Sequence, residues 1–234
     1  YLLDVANPKY RYTVSKFQVE AHKAIADILS RGRLPIICGG TGFYIQSIVD
    51  NLIFPETPVN KELRKKLVTK TAAQLFSQLK RLDPNRAKNI DGNNKVRLIR
   101  AIEIAKDLGK VPKLKKQSLY DALQIGLDMP DEVLKERISK RIVSRIKKGM
   151  IKEAVNLHAS GLTFKRMRDL GLEYRFLADL LEEEIDKEEF VSQLSLAIFQ
   201  YVKRQRAWFR RDQNIRWYLP KDIKKIHKEI TEFL

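Results

Sequence analysis

Three arginines at helical spacing are the first residues in this sequence that could do chemistry. Arg137, Arg141 and Arg145 recur every four residues within a segment whose apolar pattern predicts a helix over 131–148. Like charges at this spacing destabilise an isolated helix by about 0.2–0.5 kcal/mol per pair. An anion facing the arginines would turn that cost into a gain, because a guanidinium group binds phosphate oxygens in pairs. The alternative is an exposed face neutralised by solvent and nearby carboxylates, and the sequence leaves both interpretations open.

A second basic segment ends a helix predicted over 190–211. Cations alternate with aromatic residues between 201 and 211, and Tyr201, Arg204 and Trp208 share one face of the helix. This combination suits nucleic acid, because arginine contacts phosphates and can also stack on bases. Trp208 has a second interpretation, as a residue of the hydrophobic core.

Two further basic segments are weaker signals when each is taken singly. Arg97 and Arg100 lie one turn apart at the start of a predicted helix, and residues 165–175 are predicted to form a basic loop with a glycine. The whole chain carries 46 Lys and Arg against 29 Asp and Glu, a formal net charge of +17. A positive field of this size favours polyanions, so the four segments together predict a nucleic-acid surface.

A strand, a glycine turn and a helix are predicted to lie in series between residues 34 and 52. The apolar run at 34–38 predicts a fully buried parallel strand, and residues 39–42 (Gly-Gly-Thr-Gly) interrupt it before an apolar helix. In open α/β sheets, ligands bind at such a turn, at the carboxyl end of a strand. The alternative is that the glycines only make a tight connection.

The other predicted elements complete an α/β protein with a parallel sheet. A strand at 1–5 and a helix at 15–30 precede the turn, and a two-proline linker at 54–58 leads into a helical segment that ends near Lys116. The predicted domains are an α/β core at 1–54, a helical insertion at 55–116 and a second part of the core at 117–234. Within these domains the further predicted helices are 61–70, 72–82, 94–108, 151–159, 175–181 and 221–233, the further strands lie within 119–127 and 215–219, and residues 182–189 are predicted to be an acidic loop.

Composition excludes several classes of site. No run approaches the roughly 18–20 apolar residues that a membrane span needs, and the first residues do not resemble a secretory signal. Cys38 is the single cysteine and is predicted to be a buried, inert thiol in the reducing cytoplasm. The three histidines show no spacing typical of metal ligands.

The order of four motifs resembles the bacterial tRNA dimethylallyltransferases, also called tRNA isopentenyltransferases. These motifs are GGTGFYIQSIV from Gly39, RLIRAIE from Arg97, LKERISKR from Leu134 and KRQRAWFR from Lys203. The resemblance implies a P-loop-type α/β core with a helical insertion that embraces the tRNA anticodon stem-loop. It also implies transfer of a dimethylallyl group from dimethylallyl diphosphate to N6 of the adenosine 3′ to the anticodon (position 37), with Mg²⁺, in a cytoplasmic protein that we expect to be a monomer.

The resemblance assigns roles to particular residues. Thr41 would lie next to the target adenosine, and Arg141, with Arg137 beside it, would contact the diphosphate as it leaves. An arginine placed where negative charge accumulates lowers the barrier of such a displacement. The residues implied to contact tRNA are Thr41, Arg64, Val96, Arg97, Leu98, Ile99, Arg100, Arg168, Gly171, Tyr174, Arg175, Lys203, Arg204, Gln205, Arg206, Trp208 and Arg210.

Two departures from the family pattern shape the expectations. The family's phosphate loop, G-x-x-x-x-G-K-[ST], and the Asp-Ser segment that carries its general base do not occur in these 234 residues. We therefore expect that the chain begins inside a domain and binds tRNA, but is unable alone to hold the magnesium diphosphate or to remove the N6 proton. The segment Gly171-Leu172-Glu173-Tyr174-Arg175 is two residues longer than the family's Gly-Tyr-Arg/Lys. The alternatives are a non-catalytic RNA-binding protein and a nucleotide-kinase-like P-loop fragment.

Overall fold

The structure is a computed structural model that describes all residues from Tyr1 to Leu234. It is an α/β protein that is mostly helical and has one small parallel sheet. No helix is both long enough and apolar enough to cross a membrane. The elements in chain order are α1 (Val14–Ser30), α2 (Gly42–Val49), α3 (Lys61–Val68), α4 (Ala72–Leu82), α5 (Pro84–Ala87), α6 (Lys95–Leu108), β1 (Gln124–Leu127), α7 (Asp131–Lys147), α8 (Met150–Ala159), α9 (Phe164–Leu170), α10 (Leu172–Leu181), α11 (Lys187–Phe209), β2 (Ile215–Tyr218) and α12 (Ile223–Phe233).

The chain divides into two compact units. The first, here called the core unit, comprises Tyr1–Val49 and Tyr120–Leu234, and the second, here called the helical unit, comprises Asp50–Leu119. The two segments that bound the helical unit are hydrogen-bonded to each other: the Gln117 amide donates to the Asp50 carbonyl at 2.9 Å, and the Ile53 amide to the Lys115 carbonyl at 3.1 Å. The residues just before the helices in sequence (50–53) and those just after them (115–117) therefore lie together within the helical unit.

Local signals in the sequence explain the helices of the helical unit. The Thr71 side chain accepts from the Gln74 amide, and the Gln74 side chain accepts from the Thr71 amide, so a reciprocal capping box starts α4. Asn60 caps α3 by accepting from the Leu63 amide, and Asn94 caps α6 by accepting from the Arg97 amide. The predicted helices over 61–70, 72–82 and 94–108 are confirmed, and their shared core contains Leu67, Leu75, Leu79, Leu98 and Ile102, each almost or fully buried.

The sheet of the core unit has two parallel strands. Gln124 pairs with Ile215 and Leu127 with Tyr218, which confirms strands within the predicted segments 119–127 and 215–219. Parallel neighbours need a long connection, and helices α7–α11 provide it. These helices enclose the largest core of the protein, built around fully buried side chains such as Phe190 and Leu194.

The prediction of a buried strand at 34–38 is wrong. These residues adopt no regular structure, the Ile36 side chain is 81% exposed, and Cys38 is exposed instead of buried. The physical reason is that a β-strand is stabilised by pairing, and no other strand pairs with this segment. The predicted strand at 1–5 is also absent, since Leu2 and Asp4 have positive φ angles that interrupt an extended chain.

The basic segment at 165–175 is helical, not a loop. Thr163 caps α9 by accepting from the Arg166 amide, and Gly171, at a φ of 84°, joins α9 directly to α10. Only a residue that tolerates positive φ fits this junction readily, which explains a glycine between two helices. The predicted acidic loop at 182–189 is also shorter than expected, because Asp186 caps α11 and the helix begins at Lys187. The predicted helices over 15–30, 131–148, 151–159, 175–181, 190–211 and 221–233 are confirmed within a few residues.

Candidate nucleic-acid interface and transfer site

The glycine turn at 39–42 is held by the C-terminal part of α11. The Gln205 side-chain amide donates to the Gly40 carbonyl at 2.8 Å, across 165 residues of sequence. A Cβ atom on Gly40 would lie 2.1 Å from Nε2 of Gln205, and one on Gly42 would lie 2.1 Å from Cδ1 of Trp208. A side chain at position 42 would overlap the rigid indole ring, so a glycine is needed there for the close approach of α11, whereas at position 40 the flexible end of Gln205 could move aside.

Thr41 sits between these two contacts. It is exposed, its carbonyl accepts from the amides of Tyr44 and Ile45, and its hydroxyl has no partner within the protein. Trp208 on the other side of Gly42 packs edge-on against Phe43, with ring centroids 6.1 Å apart. The structure thus brings together Thr41, Gln205 and Trp208, which the sequence could only assign separately. The Thr41 hydroxyl can therefore donate and accept hydrogen bonds, on a turn that is held in place by Gln205 and Trp208.

The packing of Trp208 fits its interpretation as a core residue, whereas contact of its ring with nucleic acid stays a prediction. One side of the indole packs on Gly42 and Phe43, as a core residue would, and the side chain is half-buried. The Arg211 guanidinium lies 4.3 Å from the centroid of the indole ring. The ring is therefore already covered by a cation, which contributes about 0.5–1 kcal/mol at an exposed site.

The cations of α11 fall into two groups. Lys203 and Arg204 are exposed and form no ion pair, and each lies over an aromatic ring of its own helix, Phe199 and Tyr201. Their charges face solvent and can meet phosphates. Arg210 is also exposed, but it donates to Asp128 at 3.2 Å.

Arg206 is bound within the protein. Its guanidinium donates to the carboxylates of Asp128 and Asp131 and to the Met129 carbonyl, and the side chain is 18% exposed. The hydrogen bond with Asp131 raises the pKa of Arg206 above its ordinary value. Burial raises the pKa of the Asp128 carboxyl, but the Met129 amide and Arg206 outweigh burial and hold it below its usual range. Arg206 therefore ties α11 to the start of α7 and has few donors left for RNA.

The three arginines of α7 differ in whether they have an acidic partner. Arg137 and Arg141 are exposed, and neither forms an ion pair or a hydrogen bond. Arg145 is different, since it donates to Glu173 on α10 at 2.6 Å. Two unpaired arginines one turn apart remain on this face, in the arrangement that an anion would stabilise.

In the helical unit, Arg64 and Arg100 both bind one buried carboxylate, that of Glu103. Arg64 of α3 donates from Nε and Nη2 to both oxygens of Glu103 on α6, at 2.7 and 2.6 Å. Arg100 approaches the same carboxylate at 3.5 Å and donates to the Thr57 carbonyl at 3.0 Å. Burial raises the pKa of the Glu103 carboxyl, but Arg64, the Asn60 amide and Arg100 together hold it below 4.5, its ordinary value. The carboxylate therefore stays ionised at neutral pH.

The residues at the start of α6 that are predicted to contact RNA differ in their exposure. Leu98 and Ile99 are buried in the core of the helical unit, so their side chains do not line an outer surface, and their contact with RNA stays a prediction. Val96 and Arg97 are exposed, and Arg100 is half-buried. A helix that packs one face against a core turns the other face to solvent, which explains why consecutive residues of α6 differ in exposure.

The two predicted RNA-contacting arginines of α9 and α10 also differ in whether they have acidic partners. Arg168 is surrounded by Asp179, Glu182 and Glu184, all within 3.0 Å, and the Asp179 hydrogen bond raises its pKa. Arg175 is exposed and lies over the Phe176 ring.

Tyr174 and Gly171 complete this predicted segment. The Tyr174 hydroxyl donates to Glu153 at 2.5 Å, and burial together with this bond raises the pKa of Tyr174 to about 12. Gly171 forms the junction of the two helices. Among these four residues, Arg175 is the one whose charged group faces solvent without an acidic partner.

The residues present do not by themselves fit a magnesium ion. No group of three or more His, Cys, Asp and Glu side chains has the arrangement of a metal site in this structure. Asp128, which lies beside α11, is already occupied by Arg206 and Arg210. Mg²⁺ is usually held by one or two carboxylates together with water and phosphate oxygens, and the Asp128 carboxylate is bound to arginines instead.

Sequence reasoning missed the carboxylates that organise these arginines. Glu103 is the one acidic residue on the buried face of α6, among Leu98, Ile99, Ala101, Ile102 and Ile104, and this position is the signal that could have revealed it. Asp128 had no comparable signal, because its partners Arg206 and Arg210 lie about 80 residues away in sequence.

Comparisons with known proteins agree on one family. The family model described as IPP transferase matches residues 1–212. A tRNA dimethylallyltransferase of Halothermothrix orenii is 36% identical over 99% of this chain and 74% of its own length. A tRNA dimethylallyltransferase 2 of Treponema denticola is 38% identical over 94% of this chain and 77% of its own.

Solved structures give the same result. The full-length tRNA isopentenylpyrophosphate transferase of Bacillus halodurans superposes with a TM-score of 0.68 at 30% identity, over 99% of this chain and 77% of the other. A eukaryotic dimethylallyltransferase acting on tRNA superposes with a TM-score of 0.75 over 97% of this chain and 61% of the other, and at 21% identity it supports the fold alone. The family model and the curated relatives cover nearly the whole chain. They favour this family over the alternative of a nucleotide-kinase-like fragment. The chain therefore belongs to the IPP transferase family.

Proposed function

We propose that this protein is a tRNA dimethylallyltransferase. It transfers a dimethylallyl group from dimethylallyl diphosphate to N6 of the adenosine 3′ to the anticodon, which gives N6-isopentenyladenosine. Family membership over residues 1–212 and relatives of that name at 36–38% identity support this activity. The protein acts in the cytoplasm, as a monomer, and its core is of the P-loop type.

The reaction forms one bond to carbon and breaks two bonds. The bond between N6 and C1 of the dimethylallyl group forms, the bond between C1 and the diphosphate oxygen breaks so that diphosphate leaves, and the N6–H bond breaks as a general base takes the proton. The Asp-Ser segment that carries this base in the family does not occur in these 234 residues. Adenine must leave its stack for N6 to reach C1 in line with the leaving oxygen. Thr41 lies beside the extruded base and hydrogen-bonds to it through its free hydroxyl. Rate comes mainly from this positioning and from charge stabilisation.

Arg141, with Arg137 one turn away, stabilises the departing diphosphate. Both guanidinium groups are exposed and unpaired in the structure, so they are available to a ligand. The negative charge on the diphosphate increases as the C1–O bond breaks, and a fixed cation stabilises that state more than the ground state. This role converts the mutual repulsion within the α7 stripe into a favourable interaction.

The RNA is held by cations of both units that are fully or partly exposed to solvent. In the core unit these are Lys203, Arg204 and Arg175, and in the helical unit they are Arg64, Arg97 and Arg100. The single observation that carries the proposal is the braced turn, in which Gln205 and Trp208 of the basic helix α11 hold the glycines on either side of Thr41. The helix proposed to bind RNA is thereby in direct contact with the turn that carries Thr41, the residue proposed to contact the base.

Fluorescence anisotropy with an anticodon stem-loop tests the proposal. The full chain is titrated into a labelled stem-loop with adenosine 3′ to the anticodon, and into a matched loop with a pyrimidine there, at two salt concentrations. We expect tighter binding of the adenosine loop, with an affinity that falls as salt rises. Tight binding without preference would favour the alternative of a non-catalytic RNA-binding protein, and absence of binding would contradict the proposal.

The role of Arg141 has a separate test. Arg141→Ala should weaken binding of inorganic diphosphate, measured by calorimetry, while RNA affinity changes by less. Lys140→Ala is the matched control, because Lys140 is exposed on the same helix and paired with Glu136. Equal losses of diphosphate and RNA affinity in the Arg141 variant would refute the assignment to the leaving group.

A further inference from the structure

Glu103 is a buried charge at the centre of the helical unit. Its side chain is 1% exposed, and it lies on the core face of α6. Burying a carboxylate is costly unless its oxygens are fully hydrogen-bonded. A leucine or isoleucine at this position would complete the apolar face, so the carboxylate has a role other than filling the core.

The carboxylate fixes two arginines from different helices. Both donors on one edge of Arg64 are bound to Glu103, in the bidentate geometry that orients the whole guanidinium plane. Arg100 is held between Glu103 and the Thr57 carbonyl. Without the carboxylate, two cations this close would repel each other and turn away.

The outer edges of both guanidinium groups remain free. Nη1 of Arg64 and Nε of Arg100 have no partner in the protein, and the two side chains are 31% and 35% exposed. Their buried sides are bound and their outer sides face solvent. Arg64 and Arg100 both approach Oε2 of Glu103, at 2.6 and 3.5 Å, so their guanidinium groups lie close together. Guanidinium N–H groups that remain unbound can donate to the oxygens of a phosphate group.

We propose that Glu103 is a positioning residue that sets Arg64 and Arg100 side by side as one binding site for a phosphate of the RNA backbone. This inference rests on the proposed function, since the phosphate belongs to the tRNA. Glu103 itself does not touch the RNA; it acts through the two arginines. The alternative is a structural ion cluster with no part in binding.

The two interpretations predict opposite signs for one substitution. Glu103→Gln removes a negative charge, so electrostatics alone would strengthen RNA binding. If Glu103 positions the arginines, affinity should instead fall about tenfold, and the salt dependence should weaken by about one phosphate contact. The control is Glu62→Gln, which changes the net charge equally at an exposed residue of the same unit. It should bind RNA as the wild type does, or slightly more tightly.

A double-mutant cycle with Arg64→Ala separates positioning from general destabilisation. In the wild-type background, Arg64→Ala should weaken binding to the anticodon stem-loop, whereas Lys65→Ala, at an exposed lysine of the same helix, should weaken it less. In the Glu103→Gln background, Arg64→Ala should add little, because the site is already lost. Fully multiplicative losses would overturn the inference.

A second variant covers a failure to fold. Glu103→Asp keeps the charge but shortens the side chain, so it cannot hold both arginines in the same place; it should also lose affinity. Folding of each variant is checked by circular dichroism before the titrations. Wild-type affinity in both Glu103 variants would overturn the inference alone. Absence of RNA binding by the wild type would overturn the proposed function and this inference with it.

Discussion

The helical unit and the glycine turn at 39–42 both carry residues proposed to contact RNA, yet their contacts span very different distances in sequence. In the helical unit, the capping box, the apolar core and the arginine cluster all form within Asp50–Leu119. The glycine turn is held by Gln205 and Trp208, about 165 residues further along the chain. Local interactions thus build one region and long-range interactions build the other.

The two regions also differ in how far their apolar side chains are buried. Helices α4 and α6 bury Leu75, Leu79 and Ile102 completely, whereas the apolar run at 34–38 that precedes the turn leaves Ile36 81% exposed. A helix satisfies its own backbone hydrogen bonds and needs only one packed face. An extended segment needs a neighbouring strand, and this one has none.

The largest expected effect compares one substitution in the two regions. Ile102→Ala should destabilise the protein by about 2–5 kcal/mol, because it leaves a cavity in a fully packed core. Ile36→Ala should change stability by less than about 0.5 kcal/mol, because the side chain already faces water. Urea denaturation followed by circular dichroism measures both. A large cost for Ile36→Ala would show that residues 34–38 are buried, as the sequence had predicted.

The second expected effect concerns the close approach of α11 to the turn. Gly42→Ala should cost about 1–3 kcal/mol, because the new methyl group would overlap the Trp208 indole. Gly39→Ala is the matched control: a Cβ there meets nothing within 4 Å, and the backbone has no positive φ, so stability should hardly change.

A cycle with Trp208→Ala identifies the cause of the Gly42→Ala effect. If the clash is with the indole, the cost of Gly42→Ala should be much smaller in the Trp208→Ala background. Thermal unfolding of the four proteins gives the comparison. An unchanged cost would mean that the glycine is needed for the start of α2 and not for α11.

The sequence predicted helices α3, α4 and α6 well because their signals are local. Caps at Asn60, Thr71 and Asn94 and an apolar stripe of period 3.6 define α3, α4 and α6 without reference to the rest of the chain. The same reasoning identified α7, α11 and β2. Glu103 could have been noticed as an acid on an apolar face, but its two arginine partners could not be chosen from the sequence.

The sequence could not predict contacts made across the fold. The run at 34–38 has the composition of a strand, and composition says nothing about whether a partner strand lies beside it. The glycines at 40 and 42 predicted a turn but not the approach of Gln205 and Trp208. Arg206 belongs to a basic motif, yet its partners Asp128 and Asp131 make it a structural residue. Motifs therefore identified the segments, and geometry separated the free cations from the bound ones.

The third expected effect is acid sensitivity of the helical unit. The pKa of Glu103 is lower in the folded than in the unfolded chain, so its contribution to stability is complete above about pH 4.5 and is lost as the pH falls through the folded pKa. Glu103→Gln should reduce stability at neutral pH and flatten its decline between neutral and acid pH. Denaturation at several pH values measures this. An equally steep acid transition in the variant would assign acid sensitivity to other carboxylates, such as Asp83 or Asp128, whose pKa values are also lowered.

The smallest expected effect compares two glutamines that each make one hydrogen bond to the backbone. Gln74 accepts from the Thr71 amide at 2.9 Å, three residues away, and Gln205 donates to the Gly40 carbonyl at 2.8 Å, 165 residues away. Gln74 is exposed, and alanine is a better helix former, so Gln74→Ala should cost only a few tenths of a kcal/mol. Gln205 is half-buried, so Gln205→Ala should cost about 1 kcal/mol, because water replaces the lost bond less completely.

The functional outcome distinguishes the two glutamines more clearly than stability does. Gln205→Ala releases the turn next to Thr41, so it should reduce the preference for adenosine over a pyrimidine in the anticodon stem-loop. Gln74→Ala should leave that preference unchanged, because its hydrogen bond only caps α4. Titration of both loops with both variants, at one salt concentration, gives the result. If the preference survived in Gln205→Ala, the turn would be held by the packing of Trp208 on Gly42 and not by the hydrogen bond to Gly40, and the long-range contact that matters would be apolar.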